Sequence, residues 1–174
     1  MSHISTGVEY ALHCLLFLAD LPADAPEASA KDLAELQGIP GEYAAKLFTK
    51  LNKAGLVAAS EGVKGGFALA KAPQHISVLD VVDAVDGEKS LFECREIRAR
   101  CAVFGDTTPS WATKGVCSIH AVMLEAEKGM REALEKHTLA DLAARTASKA
   151  PASYGPAVIR WLGNKSAGRR AGRA

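Results

Sequence analysis

Apolar residues recur every three to four positions in several separate stretches of the chain, the spacing typical of amphipathic helices. This spacing predicts a first helix over residues 5–19. A second helix is predicted over 30–37, because Ser29 and Asp32 have the spacing of a capping box at its start. A third helix is predicted over 41–54. Two short helices joined by a tight turn that contains glycine form a helix-turn-helix pattern.

Two short apolar runs follow the third helix and predict a hairpin. They are LVAAS (56–60) and GFALA (66–70), and they flank the glycine-rich EGVKGG. Glycines permit the positive φ values that a tight hairpin requires. We therefore expect a mainly α fold with a small β-hairpin wing, that is, a winged helix-turn-helix, extended by a long dimerisation helix.

The long helix is predicted over 118–136, after a further short helix (VLDVVDAVDG) and an aperiodic segment. Its apolar positions lie close to a heptad seam, which is typical of helix pairing between two subunits. The seam residues that we expect at a homodimer interface are Ile119, Val122, Met123, Ala126, Met130 and Leu134. The run LADLAART then predicts another short helix.

These elements divide the chain into four predicted domains. Residues 1–87 form the winged helix-turn-helix, 88–117 a cysteine-containing loop, and 118–146 the dimerisation helix with the short helix after it. Residues 147–174 are rich in Ala, Ser, Gly and Arg, so we expect a basic, flexible tail with a possible docking segment at 154–162.

Composition limits the environment of the protein. The chain is 48% hydrophobic, but no apolar run approaches the roughly 20 residues that span a bilayer, and the N-terminus lacks the features of a signal peptide. We therefore expect a cytoplasmic protein without a membrane partner. In that compartment its four cysteines are better explained as thiols, redox centres or metal ligands than as disulfides.

The predicted third helix leaves lysines on its outer surface, where they can meet DNA phosphates. The N-terminal residues of such a helix reach base edges in a major groove, and the wing can touch phosphate or enter a minor groove. The expected contacts to double-stranded operator DNA are Ser29, Lys31, Pro40, Glu42, Tyr43, Lys46, Lys50, Lys53, Lys64, Gly65 and Gly66. A solvated helix, or a helix-hairpin module that binds another protein, is the alternative.

Three of the four cysteines lie within the aperiodic segment 88–117, at Cys94, Cys101 and Cys117, and His120 follows one helical turn after Cys117. Thiolates are soft ligands that suit iron–sulfur clusters, zinc or copper(I). Scattered free thiols, or a catalytic Cys/His pair, are the alternatives. No oxyanion-hole glycine motif or phosphate loop accompanies the pair, so we do not expect an enzyme.

The series EYALHCLLFLA, SAKDLAELQGIPGEYAAKLFTKLNKAGLVAASEGVKGGFALA, ISVLDVVDAVDG and CSIHAVMLEAEKGMREAL resembles the Rrf-two family of bacterial winged-helix regulators. The resemblance covers about residues 3–146. It implies a homodimer paired through the long helix, and in many members an iron–sulfur cluster that senses redox state, iron or nitric oxide.

Within that family the start GVEYALHC is similar to the redox-sensing, RsrR-type branch. The resemblance implies a [2Fe–2S] cluster held by Glu9 and His13 of the first helix and by Cys94 and Cys117, whose surroundings are FECREIR and VCSIH. Cys101 and His120 are alternative ligands, and a [4Fe–4S] cluster is the alternative cofactor. Helical residues four apart project side by side, so the Glu9 and His13 side chains can reach one iron.

The expected function is therefore that of a dimeric DNA-binding transcriptional regulator that senses redox state, or iron or nitric oxide, through its cluster. Two other functions remain open from the residues alone. One is a metal-free regulator of the same fold that uses direct thiol oxidation, and the other is a zinc-binding adaptor.

Overall fold

A computed structural model of the chain describes residues 3–22, 25, 28–60 and 65–171, with side chains as far as Gly168. These residues contain seven α-helices and one two-stranded sheet. The helices are α1 (Thr6–Ala19), α2 (Ala30–Gln37), α3 (Gly41–Lys53), α4 (Val78–Asp86), α5 (Ser118–Glu135), α6 (Leu139–Ala147) and α7 (Tyr154–Ala171). The strands are β1 (Val57–Ala59) and β2 (Phe67–Leu69). The predicted fold class, mainly α with a small hairpin, is confirmed.

Local capping explains why three of the helices begin where the sequence predicts. In each case the third helical residue is an Asp. Its backbone N–H donates a hydrogen bond to the Ser or Thr hydroxyl that precedes the helix, and its carboxylate accepts a hydrogen bond from the backbone N–H of that Ser or Thr. The pairs are Ser29 with Asp32, Ser77 with Asp80, and Thr138 with Asp141. At the other end of α2, Gly38 takes a φ of +74°, a left-handed conformation that glycine adopts without strain.

The hydrophobic core lies among α1, α3 and α4. Leu15, Phe48, Leu51 and Ile76 are fully buried there, together with Leu33 of α2. This core fixes the two helices of the helix-turn-helix against α1. The hairpin is joined to the same core, because the Phe67 ring lies 4.8 Å from the Phe48 ring between centroids.

The wing is a short antiparallel pair in which Val57 faces Leu69 and Ala59 faces Phe67. The Phe67 N–H also donates to the Ala28 carbonyl, 2.9 Å away, so the hairpin is tied to the start of α2. The predicted wing tip at 61–64, including Lys64, lies outside the described residues.

The chain folds into two compact units. The first contains residues 1–87 and 134–174, and the second contains residues 88–133. The first unit thus combines the helix-turn-helix and wing with α6 and α7, while the second holds the cysteine segment and most of α5. The functions assigned to the four predicted domains stay predictions.

The C-terminal segment differs from the expected flexible tail at 147–174, because Tyr154–Ala171 forms α7. Val158 and Leu162 of α7 are buried in the core cluster, and Trp161 packs against it. The sequence did not predict this helix because its large apolar residues are confined to 158–162, while the rest of the segment is rich in Gly, Ala, Ser and Arg. Only the suggested docking segment at 154–162 anticipated part of it.

Among the described residues, no helix is both long enough and apolar enough to cross a membrane.

Candidate DNA interface and metal-binding residues

Helix α3 has a buried face and an opposite face that is open to solvent. Its buried residues are the four that the sequence places inward: Ala44, Leu47, Phe48 and Leu51. Glu42, Lys46, Thr49 and Lys53 are spaced so that they lie on the opposite side of the helix, and all four are exposed. The ammonium groups of Lys46 and Lys53 have no hydrogen-bond or ion-pair partner within the described part of the chain. This face therefore offers two uncommitted positive charges.

Tyr43 and Lys50 lie on the flank of α3 and contact other helices. The Tyr43 ring meets the Tyr10 ring of α1 edge-on, at 6.0 Å between centroids. The Lys50 ammonium donates a hydrogen bond to the Val85 carbonyl near the end of α4. A methyl group at Gly7 of α1 would come within 2.6 Å of the Tyr43 hydroxyl, so a larger residue there would displace the Tyr43 side chain. Both flank residues thus hold α3 in place.

The remaining predicted DNA contacts lie at the start of α2, the start of α3 and the base of the wing. The Ser29 hydroxyl is occupied in the α2 cap, whereas Lys31 in the first turn is exposed. Pro40 directly precedes α3. At the wing, the Ser60 N–H donates to the Gly66 carbonyl (3.0 Å), and the Gly66 N–H donates to the Ser60 hydroxyl (3.2 Å). Gly65 adjoins this pair.

Glu9 and His13 are exposed one turn apart on α1, at the rim of a groove of about 880 Å³ in the first unit. Neither side chain has a hydrogen-bond or ion-pair partner among the described residues. The floor of the groove is apolar and includes Leu12, Leu16, Val78, Val82 and Leu142. Arg145 and Lys149 also line it. A carboxylate and an imidazole without partners, side by side, are suitable donors for one metal ion.

Cys14 follows His13 but does not share its surroundings. It is buried in the core, and burial raises the pKa of its thiol to about 12. A thiol in that state is neither a nucleophile nor a ready metal ligand.

In the second unit, Arg98 joins two distant parts of the cysteine segment. Its Nε and Nη2 donate to the two carboxylate oxygens of Glu96, each at 2.6 Å. Nη2 also donates to the carbonyls of Thr113 (3.3 Å) and Gly115 (2.9 Å). The guanidinium therefore ties the stretch after Cys94 to the stretch before Cys117.

The electrostatic surroundings of Arg98 include both of the predicted cysteine ligands. The pKa of the Arg98 guanidinium is raised, first by its hydrogen bond to Glu96 and further by the negative charge available at Cys117 and Cys94. Both cysteines are half-buried, whereas Cys101 is exposed. The Cys94 and Cys117 thiols thus have Arg98 as a common cationic neighbour, and Cys101 is not among the groups that influence Arg98.

His120 faces the same cluster of side chains. Its ring lies 6.1 Å from the Phe92 ring, between centroids. The pKa of the Glu96 carboxyl is lowered, chiefly by the hydrogen bond from Arg98 and also by the charge on His120. Glu96 itself has a φ of +46°, a left-handed conformation that residues other than glycine seldom adopt. His120 therefore remains an alternative ligand beside the two thiols.

The predicted ligands form two pairs, one in each unit: Glu9 and His13 in the first, Cys94 and Cys117 in the second. Within the described residues, no three His, Cys, Asp or Glu side chains are grouped so that they could hold a metal ion. Glu96 and Arg98 were not singled out by the sequence analysis. The closely spaced opposite charges of ECREIR were the signal available for them.

The predicted homodimer helix α5 has no buried residue along its 18 positions. Ile119 and Val122 are 64% and 62% exposed, Ala126 is exposed, and Met123 and Met130 are half-covered. Leu134, at the end of the helix, packs against the core of the first unit. The seam from Ile119 to Met130 is therefore an apolar surface that the chain alone leaves uncovered.

Comparison with known proteins identifies relatives over most of the chain. The family model Rrf2, described as an iron-dependent transcriptional regulator, matches residues 4–145. Protein Rrf2 of Nitratidesulfovibrio vulgaris is 36% identical over 148 residues, which cover 85% of this chain and 91% of that protein. Such relatives are transcriptional regulators, which confirms the expectation that the chain is not an enzyme.

Two solved structures share the fold. CymR, the global cysteine regulator of B. subtilis, has a TM-score of 0.65 and 26% identity, covering 84% of this chain and 99% of that one. IscR of T. potens has a TM-score of 0.62 and 26% identity, covering 86% of this chain and 93% of that one.

Proposed function

We propose that this chain is a homodimer that senses redox state through a [2Fe–2S] cluster. The chain belongs to the Rrf2 family of DNA-binding transcriptional regulators. The observation that carries this proposal is the pair of Glu9 and His13, two exposed metal donors one turn apart and without partners among the described residues.

The DNA-binding part of the proposal is supported by the open face of α3. Glu42 begins this face near the N-terminal end of the helix, the part that enters a major groove, and Lys46 follows one turn later. Lys46 and Lys53 are available for phosphates because no contact within the described part of the chain occupies them. Tyr43 and Lys50 have a second role in this account, since they also fix the angle of α3 against α1 and α4.

The proposed ligands of the cluster are Glu9, His13, Cys94 and Cys117. The donor set fits, because thiolates suit iron–sulfur clusters and imidazole replaces thiolate in the Rieske type. When bound, such a cluster supplies a reversible one-electron change. Arg98 would hold the two thiols in position through its contacts to Glu96 and to the Thr113–Gly115 backbone.

The coupling between sensing and DNA binding would run through α1. Glu9 and His13 belong to the helix whose Tyr10 contacts Tyr43 of α3. The Ser5 hydroxyl and N–H, at the start of the same helix, donate to the two carboxylate oxygens of Asp86 in α4. A small shift of α1 would therefore be passed on to α3. In a dimer, such a shift changes the spacing of two recognition helices that must match half-sites about 34 Å apart.

Direct thiol oxidation without a metal is the second candidate. It is favoured by the shared cationic surroundings of Cys94 and Cys117 within one unit and by the similarity to CymR, a global cysteine regulator. This alternative gives no role to Glu9 or His13. Substituting His13 therefore separates the two candidates.

The proposal is tested by selecting a duplex from a randomised library with anaerobically purified protein, then measuring its affinity after reduction and after reoxidation. We expect the affinity to differ between the two states and the difference to disappear in Cys94→Ala. Equal affinity in both states, for a protein that binds the selected duplex, would contradict redox sensing while leaving DNA binding intact. A His13→Ala protein that keeps the full difference would support the metal-free candidate.

A further inference from the structure

The C-terminal end of α4 is hydrogen-bonded both to the start of α1 and to the flank of α3. The N–H and the hydroxyl of Ser5 donate to the two carboxylate oxygens of Asp86, at 2.8 and 2.6 Å. One residue earlier, the Val85 carbonyl accepts a hydrogen bond from the Lys50 ammonium of α3. Two consecutive residues of α4 therefore connect α1, which carries two of the proposed cluster ligands, with α3, which is proposed to enter the major groove.

Both connections match the charge of the helix end at which they are made. The Val85 carbonyl is one of the last in α4, where no later turn of the helix can donate to it and the helix dipole is negative, so an ammonium is a favourable partner. The Asp86 carboxylate lies at the positive, N-terminal end of α1, whose capping residue Ser5 makes no side-chain bond to its own helix. Hydrogen bonds that involve a charged group are stronger than neutral ones. These bonds therefore fix both neighbouring helices to one end of α4.

The contact between the Tyr10 and Tyr43 rings also joins α1 to α3, but it is less directional. The rings meet edge-on at 6.0 Å between centroids, and Tyr43 is 39% exposed. Ring pairs of this kind stay favourable over centroid distances of about 4.5–7 Å, whereas a hydrogen bond weakens steeply when its angle changes. A shift of α1 is therefore passed on to α3 more closely through the end of α4 than through the two rings.

Lys50 differs from the lysines on the open face of α3. It lies on the flank of the helix, two turns after Tyr43, and its ammonium is bonded to the Val85 carbonyl. Lys46 and Lys53 have no such bond within the described part of the chain. A phosphate would have to compete with Val85 for the Lys50 ammonium, so the two open lysines are the ones available to DNA.

We propose that the end of α4, Val85 with Asp86, is a joint through which α1 sets the position of the recognition helix, and that Lys50 is a positioning residue in this joint and not a phosphate contact. The inference rests on the proposed function, in that α3 is taken to enter the operator and α1 to carry cluster ligands. If either bond of the joint is broken, α3 takes its bound orientation independently of α1. Operator binding then no longer depends on the oxidation state.

The test compares Lys50→Met with Lys46→Met in the full chain, by fluorescence anisotropy with the selected duplex at several salt concentrations and in both oxidation states. The logarithm of the binding constant falls with the logarithm of the salt concentration, with a slope of about 0.9 for each neutralised phosphate. We expect Lys50→Met to keep the wild-type slope and visible absorption and to lose most of the affinity difference between the oxidation states. In the state that binds more tightly, affinity should fall roughly 2- to 10-fold, the worth of one hydrogen bond. Lys46→Met should lower the slope by about 0.9 and keep the difference.

Three further variants distinguish positioning from a loss of folding. Lys50→Arg keeps a donor for the Val85 carbonyl and should restore the difference between the oxidation states. Asp86→Ala breaks the other half of the joint and should lose the difference with an unchanged slope. Substitutions that break one connection are not additive, so Lys50→Met combined with Asp86→Ala should weaken binding no further than the more severe single variant.

A Lys50→Met protein whose slope is lowered by about 0.9, or one that keeps the full difference between the oxidation states, would overturn the joint. A wild-type protein that binds the selected duplex equally in both states would instead overturn redox sensing. In that case an unchanged slope in Lys50→Met and a non-additive double variant would still support the joint, and additive losses would overturn it.

Discussion

The two compact units of this protein are stabilised in different ways. The first unit buries a continuous apolar core around Phe48, Leu15 and Ile76. In the second, residues 88–133, Ala112 is the one buried residue, and the segment is joined by the polar contacts of Arg98 instead. A unit that buries so little depends on something outside itself for its order. In our account, a partner subunit covers its helix and a cluster joins its cysteines.

The largest expected difference between the units concerns two phenylalanines. Phe48→Ala removes a fully buried ring and should lower the free energy of unfolding by about 3–5 kcal/mol. Phe104→Ala removes a half-exposed ring that meets Trp111 edge-on at 5.8 Å, and it should cost no more than about 1.5 kcal/mol. Urea unfolding followed by circular dichroism measures both. Equal decreases would contradict the contrast between the two units.

The next prediction concerns the exposed seam of α5. Val122→Glu should separate the dimer, because an unpaired charge would be buried at the interface, at a cost of several kcal/mol. Ala121→Glu adds the same charge at an exposed position of the helix outside the seam and should leave the dimer intact. Light scattering at micromolar concentration distinguishes the two. A dimer that survives Val122→Glu would show that subunits pair elsewhere.

A smaller effect is expected when a lysine of the first unit that faces the DNA is replaced. Lys46→Ala should weaken operator binding and lower the salt slope by about 0.9, because Lys46 lies on the open face of α3 and alanine cannot neutralise a phosphate. Lys136→Ala, an exposed lysine after α5, is the control and should change neither quantity. If both variants bind like the wild type, the open face of α3 is not the DNA surface.

The smallest effect is a local one, in the second unit. Arg98→Gln removes the hydrogen bonds to Glu96, Thr113 and Gly115, so amide hydrogen exchange between residues 94 and 117 should become faster in the cluster-free protein. Arg100→Gln removes the same charge from an exposed neighbour and should leave exchange unchanged. Similar exchange in both variants would mean that Arg98 does not hold the segment together.

The same contrast explains what the sequence could predict. Helices α1 to α6 have apolar residues of helical period, and three of them start at a Ser or Thr followed three residues later by Asp, so their bounds were predicted within one residue. The long-range contacts of Arg98 span 15 to 17 residues of aperiodic chain, and no local pattern signals them. Helix α7 was missed because its large apolar residues are confined to 158–162, and the rest of the segment has a composition typical of a flexible tail.

For the site residues, the sequence could predict which face of a helix each one occupies, but not which other residues it contacts. The spacing in α3 identified the four buried residues, but it could not distinguish Lys46, which is open, from Lys50, which donates to a carbonyl of α4. That difference depends on the position of α4, which is set by tertiary packing. Likewise, the i and i+4 spacing put Glu9 beside His13, whereas the apolar groove they border is formed by α1, α4 and α6 together.

A cluster held by Glu9, His13, Cys94 and Cys117 is tested most directly by the visible absorption spectrum of anaerobically purified protein, with iron and sulfide analysis. We expect visible bands and roughly two irons and two sulfides per chain for the wild type. Cys101→Ala, which removes an exposed thiol, should leave the bands unchanged, and His13→Ala should abolish or shift them. Bands that survive His13→Ala but disappear in Cys101→Ala would contradict the account and indicate a cluster held by the three cysteines.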